Sequence, residues 1–343
     1  MPVYVHGDLT GFITKFSPHC ENKNPFTPNC IIDMVLQITD AIQYTHSKGI
    51  IHRDLKPDNI FISTLEVDKR NKKEIVACKV TLGDFGLSKN ITQSIAVSVV
   101  GTFGWMSPDH LNGNFSYKTD MWSLGCIIYN LISLDSSLLN TNELINENHA
   151  AHKVKMREKM YARMNSTSLP PNFEALIDIV FNNLLQKNPA ERISSEDFFW
   201  DCLIPWRYKV NESDLIELTT KKGYYKWQGS FATTRKVTKD QFRTLVQLRD
   251  IQYITHILGY FTKVNNEGQE EIYVLHKPQG INLKDFLIPS NPRYVSLHDK
   301  LEILLKIATA IEEVNRNTDI QFIIKLDATK IYVSFTMSHI YSF

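Results

Sequence analysis

Between Ile51 and Asn59 the chain reads IHRDLKPDN, and this stretch limits what the chain can be more than any other. It sets Asp54, Lys56 and Asn59 close together in a segment flanked by periodic structure. Upstream, Ile31 to Lys48 carries apolar residues at helical spacing (Ile31, Met34, Val35, Ile38, Ala41, Ile42), which predicts an amphipathic helix ended by Gly49. Downstream, IFIS and KVTL are short β-type runs that flank a charged, exposed loop from Leu65 to Lys73. A second helix, Ser116 to Ile132, is apolar nearly all round and reads as a buried central helix. Mostly helical segments follow to about Trp206, with LPPN at 169–172 as a breaker.

The residues in and after this stretch suit phosphoryl transfer. That chemistry needs an aligned hydroxyl, an acceptor for its proton, and cations to neutralise phosphate charge. Asp54 is the candidate proton acceptor, and Lys56, two residues on, lies on the same side of an extended loop, where it can face the transferring phosphate. Asn59 offers an amide oxygen to Mg²⁺, and Asp84, in the DFG at 84–86, offers a carboxylate, both hard oxygen ligands of the kind that ion prefers.

A lone HRD or DFG would be weak, but here the motifs form an ordered set. HRDLKPDN precedes DFGLSK, then GTFGWMSPD (101–109), DMWSLG (120–125) and NPAERIS (188–194). Over residues 1–206 the set resembles the C-terminal lobe of eukaryotic protein kinases of the Ser/Thr type. The resemblance implies an α+β, protein-kinase-like fold with a mainly helical C-lobe, ATP and Mg²⁺ as cofactors, and a protein substrate. It also implies further roles. Arg53 matches the arginine that pairs with a phosphorylated activation segment, here Asp84 to about Asp109, in which Ser94 and Ser98 are the candidate phosphosites. Thr102 matches the threonine that bonds the catalytic aspartate and lysine, and Asp120 the buried carboxylate beneath the catalytic loop. Arg192 matches the arginine that bridges the acidic end of the activation segment. There Asp109 replaces the family's glutamate, so a longer or shifted bridge is expected.

Upstream of Asp54 there is no Gly-rich phosphate loop and no strand lysine with a partner glutamate. VYVHGDL (3–9) resembles the hinge, so the backbone of Tyr4 or Val5 is placed at an adenine edge, and the roof over ATP is expected from a missing N-lobe or a partner chain. Weak or no phosphotransfer is therefore expected of this chain alone.

Past Trp206 the texture changes. Residues 214–275 read like a kinase N-lobe: strands with turns at Gly223 and Gly229, a polar helix at about Asp240–Arg249, then THILGYF and EIYVLH. FATTRKV resembles the third-strand pattern, with Lys236 or Arg235 near the place of the lysine. A long helix, Leu301 to Asn317, follows. Three segments of the first half recur in order in the second: GDLTGFI with INLKDFL, VLQITDAIQYTH with LLKIATAIEEVN, and NIFIS with KIYVS. This internal duplication predicts a second, partial kinase-like domain over 207–343, with the start of another C-lobe at about 276–343. Aligned on either the strand or the helix, the catalytic aspartate falls on Lys325 or Ile323 and the metal asparagine on Lys330 or Ala328, so the copy reads as catalytically dead.

Composition narrows the partners. With 43% apolar and 22% charged residues the chain can bury a core, and a formal net charge of +1 calls for no nucleic acid or acidic membrane. The run Lys69-Arg70-Asn71-Lys72-Lys73 reads as a solvated loop. Five scattered cysteines without a Cys-x-x-Cys pair indicate free thiols rather than a disulfide framework or zinc site. No apolar run is long enough to span a bilayer and no signal peptide opens the chain, which predicts a cytoplasmic protein or the cytosolic face of a larger one. Two rival readings remain: a catalytically inactive kinase-like scaffold that binds partner proteins, and a stress-sensing kinase with a nuclease domain, which Trp105 and the insert before DFG resemble. The nuclease reading requires a helical unit from Arg207 onward.

Overall fold

The computed structural model describes residues 6–16, 23–90, 101–135, 149–164, 169–217, 224–228, 230–248, 257–277, 281–282, 304–309, 312 and 332–333. Two compact units divide the chain, Met1–Arg207 and Tyr208–Phe343. Helices and sheets both contribute, giving an α+β class.

In the first unit α1 (Leu9–Phe16) leads to α2 (Pro28–Ser47). The α2 helix starts three residues before the predicted Ile31, because Thr27 accepts a hydrogen bond from the Cys30 amide and Pro28 fits the first turn without needing its missing N–H. Gly49, at φ +77°, turns the chain out of the helix. There β1 (Ile50–Ile51) leads into the polar loop, and β2 (Ile60–Val67) and β3 (Ile75–Leu82) leave it as an antiparallel ribbon. The ribbon is longer than the two short runs predicted. Leu65 to Val67 continue the strand, so the connecting turn is shorter than the expected Leu65–Lys73 loop. The charged outer half hid the pattern, since strand residues with no core above them need not be apolar. A short β4 (Lys89–Asn90) then pairs with β1.

The core of this unit centres on a long helix. After the one-turn α3 (Pro108–Leu111), α4 (Tyr117–Ser133) is capped by Ser116 and is buried from Thr119 to Ser133, as its all-round apolar sequence predicts. Against it lie α2, α5 (His149–Met164) and the stretch Val180–Leu184 that follows α6 (Pro171–Ile179), which itself packs on α2. Pro170 and Pro171 of the LPPN breaker open α6 rather than only ending what precedes it. A widened helical stretch, Phe198–Leu203, buries Phe198 and Phe199. Among the described residues the cysteines are free: Cys30, Cys78 and Cys126 are buried, and burial pushes the Cys202 thiol up to about 11. No helix of the described residues is long and apolar enough to cross a membrane.

The second unit holds a five-stranded antiparallel sheet of order β5-β6-β7-β9-β8: β5 (Ile216–Glu217), β6 (Tyr224–Trp227), β7 (Ser230–Val237), β8 (Ile257–Val264) and β9 (Glu270–His276). Between β7 and β8 in the chain lies α7 (Lys239–Gln247), opened by a capping box of Thr238 and Gln241. Ala232, Phe261 and Leu275 form the core of this sheet. Such a sheet is not the helical unit that the nuclease reading requires. Gly223, Gly229 and most of the predicted Leu301–Asn317 helix lie outside the described residues, as do Ile323, Lys325, Ala328 and Lys330.

Candidate active site

The polar loop is fixed from beneath by Asp120 of α4. Its Oδ2 accepts from the His52 amide at 2.9 Å and its Oδ1 from the Arg53 amide at 3.0 Å. Those bonds hold Arg53 at φ +69°, a left-handed backbone that costs a non-glycine residue about 1–2 kcal/mol. The same Asp120 Oδ2 meets His46 Nε2 at 2.9 Å, and His46 Nδ1 meets Ser195 Oγ at 2.9 Å. A line of hydrogen bonds thus runs from Ser195 through His46 and Asp120 to the loop backbone. Sequence reasoning missed His46 and Ser195. The signal for His46 is its place on the Ile38–Ile42 line of α2, one polar ring on the buried face.

Above this support Asp54, Lys56 and Thr102 close a triangle. Lys56 Nζ donates to Asp54 Oδ2 and to Thr102 Oγ1, each at 2.7 Å, and the Thr102 hydroxyl donates to Asp54 Oδ1 at 2.7 Å. Burial alone would push the Asp54 carboxyl upward. The hydrogen bonds from Lys56 and Thr102, with the ammonium charge, outweigh that and hold it below the usual carboxylate range. Thr102 reaches this position because Gly101 sits at φ +129° against the loop: a Cβ there would lie 2.8 Å from the Arg53 carbonyl oxygen.

Asn59, buried, donates from Nδ2 to the Asp54 carbonyl oxygen at 2.8 Å, and its Oδ1 takes no hydrogen bond among the described residues. The Asn59 carbonyl accepts from the Gly83 amide at 2.9 Å, which ties the start of the DFG to the loop. Asp84 follows at φ +57°, exposed, its Oδ1 accepting from the Gly86 amide at 3.3 Å. An amide oxygen and an exposed carboxylate, on segments joined by that bond, are the hard donors a magnesium ion takes. The Phe85 ring lies 4.8 Å from the His52 ring.

Arg53 points its guanidinium at the segment after the DFG: Nε donates to the Leu87 carbonyl at 2.7 Å, and the group lies 5.3 Å over the Phe115 ring. Tyr4, Val5, Ser94 and Ser98 lie outside the described residues. The expected lengthening of the Asp109–Arg192 bridge does not occur. Arg192 Nη2 donates to Asp109 Oδ1 at 2.5 Å from a fully buried side chain, whose other donors take the carbonyls of Gln186, Lys118 and Lys187. One methylene less on the acid is absorbed, because the arginine is held by backbone oxygens.

Comparison with known proteins places the chain in a family. The family model for the protein kinase domain matches residues 3–202. A probable serine/threonine-protein kinase of Dictyostelium discoideum is 27% identical over 298 residues, which cover 82% of this chain and 38% of the relative. Serine/threonine-protein kinase nekl-2 of Caenorhabditis elegans is 37% identical over 119 residues, 34% of this chain and 30% of its own length. Serine/threonine-protein kinase Nek9 of Xenopus laevis is 25% identical over 279 residues, 72% of this chain and 27% of its own. The chain therefore spans well under half the length of these relatives. The first and third likenesses are too long to fit within the first 207 residues and run on into the second unit. The chain belongs to the protein kinase family, with eukaryotic Ser/Thr kinases as its relatives.

Proposed function

We propose that the first unit transfers the γ-phosphoryl group of ATP to serine or threonine hydroxyls of a protein substrate. The observation that carries this reading is the closed triangle of Asp54, Lys56 and Thr102. Asp54, kept ionised by its two partners, accepts the proton of the attacking hydroxyl on a remaining carboxylate lone pair. Lys56 spends two of its three N–H bonds inside the triangle and keeps the third for the transferring phosphate. Thr102 both donates and accepts, so only a hydroxyl side chain serves there. Asn59 Oδ1 and the Asp84 carboxylate would hold Mg²⁺, which when bound supplies charge neutralisation to the phosphates. Arg53 anchors a phosphate placed on Ser94 or Ser98. The adenine edge is assigned to Tyr4 or Val5 on the resemblance of VYVHGDL to a hinge.

The second unit we read as a partial pseudokinase: an N-lobe-like sheet at about 214–275 and the start of a helical lobe at about 276–343. Five strands with one helix between the third and fourth support that reading. Lys236, the candidate for the strand lysine, bonds Glu271 on the adjacent β9 strand rather than a helix glutamate, and α7 contains no glutamate. Free thiols and ATP dependence favour the cytosol, or the cytosolic face of a larger protein.

The test is phosphate incorporation into a Ser/Thr substrate by the full chain with Mg²⁺ and ATP, alongside thermal stabilisation by the same nucleotide. Transfer lost in Asp54→Asn supports the reading. Transfer that survives Asp54→Asn overturns the assignment of the base. Weak transfer is the result expected of this chain alone, so it is a lack of stabilisation by Mg²⁺-ATP that overturns the reading as a whole.

A further inference from the structure

The ribbon of β2 and β3 starts at the site and ends in a cluster of cations. Its base pair is Ile60 with Leu82, directly beside Asn59 and Asp84; its last pair is Val67 with Ile75. Seven steps along an antiparallel strand span roughly 23 Å. Between the ends of the strands stand Lys69, Arg70, Lys72 and Lys73, all exposed, and none of the four has a carboxylate partner among the described residues. The two acids of the turn itself are already engaged. Asp68 Oδ1 accepts from the amides of Arg70 at 2.7 Å and Asn71 at 2.6 Å, and Glu74 pairs with Lys23 at 2.8 Å.

The turn is also built to hold its shape. The Asp68 amide donates to the Glu74 carbonyl at 2.8 Å, and the Glu74 amide to the Asn71 carbonyl at 2.9 Å. The body of the unit grips the ribbon next to it: the Ile75 amide donates to the Pro25 carbonyl at 2.7 Å, and the Thr27 amide to the Ile75 carbonyl at 3.1 Å. The turn sets four cations against the carboxylates of Asp68 and Glu74, a net charge of +2, and the cations repel one another. Such an arrangement is relieved by an anionic partner, and its order lowers the entropy lost on binding.

We propose that this turn, Asp68–Glu74, is a docking site for an acidic segment of the protein substrate, separate from the segment that carries the phosphorylated hydroxyl. The proposal rests on the kinase reading of the site for the word substrate, while the docking itself does not. The partner is a protein segment rather than a nucleic acid, because the turn carries no aromatic ring on which bases could stack. Nor does it carry an apolar side chain to enter a lipid surface. An extended chain reaches about 3.3–3.6 Å per residue, so at least about seven residues must separate the acidic block from the acceptor hydroxyl. Docking would then raise the effective concentration of the acceptor and lower KM with little effect on kcat.

The test uses the full chain and a fluorescent peptide in which one serine is joined by a ten-residue Gly/Ser linker to six glutamates. Binding is followed by fluorescence anisotropy at low salt and near physiological ionic strength, where screening sets in at about 8 Å. The expected result is affinity at least about tenfold weaker for the chain carrying Lys69→Glu, Arg70→Glu, Lys72→Glu and Lys73→Glu together, with the gap narrowing in salt. A glutamine version of the four positions should lie between, and an unchanged melting midpoint shows that both variants fold. Equal affinity of wild type and variants, or no binding, overturns the proposal. So does tighter, variant-sensitive binding to a DNA duplex or to phosphatidylserine vesicles than to the peptide. Phosphate transfer to the serine and stabilisation by Mg²⁺-ATP are read separately: docking without either counts against the kinase reading alone, and transfer indifferent to the glutamates counts against docking alone.

Discussion

Lys56 and Lys236 hold carboxylate oxygens at almost the same distance, 2.7 Å from Asp54 and 2.6 Å from Glu271. Their surroundings differ. The Lys56 side chain is 19% exposed and Asp54 7%, and a third group, Thr102, touches both. The Lys236 side chain is 59% exposed and its pair lies on the open surface of neighbouring strands. A short ion pair is therefore no mark of a catalytic site by itself. What separates the two is closure: each member of the first set is fixed by the other two and screened from water, so a change in one is felt by the rest.

The comparison can be broken first at Asp54. Asp54→Asn keeps the size of the side chain but removes the proton acceptor and the charge that holds Lys56, so phosphate transfer should fall by about 10²- to 10⁴-fold. Full activity in that variant would mean the triangle is structural. A comparably large effect, on stability this time, is expected for Arg192→Met in the same unit. It leaves Asp109 and three carbonyls without their donor, a loss of about 3–5 kcal/mol in denaturant unfolding if the pair behaves as a buried one. A change within error would show that the bridge acts as a surface pair.

Thr102→Val sharpens the comparison, because it opens the triangle without touching either charge. Removing one donor lets the Asp54 carboxyl rise, so the acid limb of the pH–activity profile should move to higher pH and the rate at neutral pH drop about tenfold. Thr102→Ser should restore both. The linked stability follows the same sign. With its folded pKa depressed, Asp54 stabilises the fold above the unfolded value near 3.9, and that contribution is lost as pH falls through the folded pKa. A smaller acid-linked loss is therefore expected in Thr102→Val. Lys236→Ala comes last: neither transfer nor the melting midpoint should change, and a measurable loss would show that the second unit's pair is tied to something beyond its own sheet.

The candidate catalytic segment was legible as a polar cluster because its residues are local. Asp54, Lys56 and Asn59 stand in one loop, and their types alone suggested candidates for proton acceptor, cation and metal donor. Thr102 and Asp120 were found only through resemblance, since their contacts cross 48 and 67 residues of chain respectively. The His46–Ser195 link spans 149 residues and escaped notice, because no local pattern announces where a helix end will meet a distant serine. The ribbon was read too short for a different reason. Val67 and Val76 are exposed and interleaved with charges, so the alternation that marks a half-buried strand fades while the backbone pairing continues. In the second unit the strands and helix could be read from pattern, but the partner of Lys236 depends on strand register, which the sequence does not display.

The left-handed backbone of Arg53 makes two properties of that residue separable. Its guanidinium reaches toward Leu87, while its φ of +69° shapes the loop that carries Asp54. Any ordinary replacement discards the side chain and keeps the backbone penalty, whereas glycine discards the side chain and relieves the penalty as well. Arg53→Gly should accordingly be more stable than Arg53→Ala by about 1 kcal/mol. The glycine variant then separates what the side chain does at Leu87 from the architecture of the loop, and gives a form of the chain whose loop shape no longer depends on a strained residue.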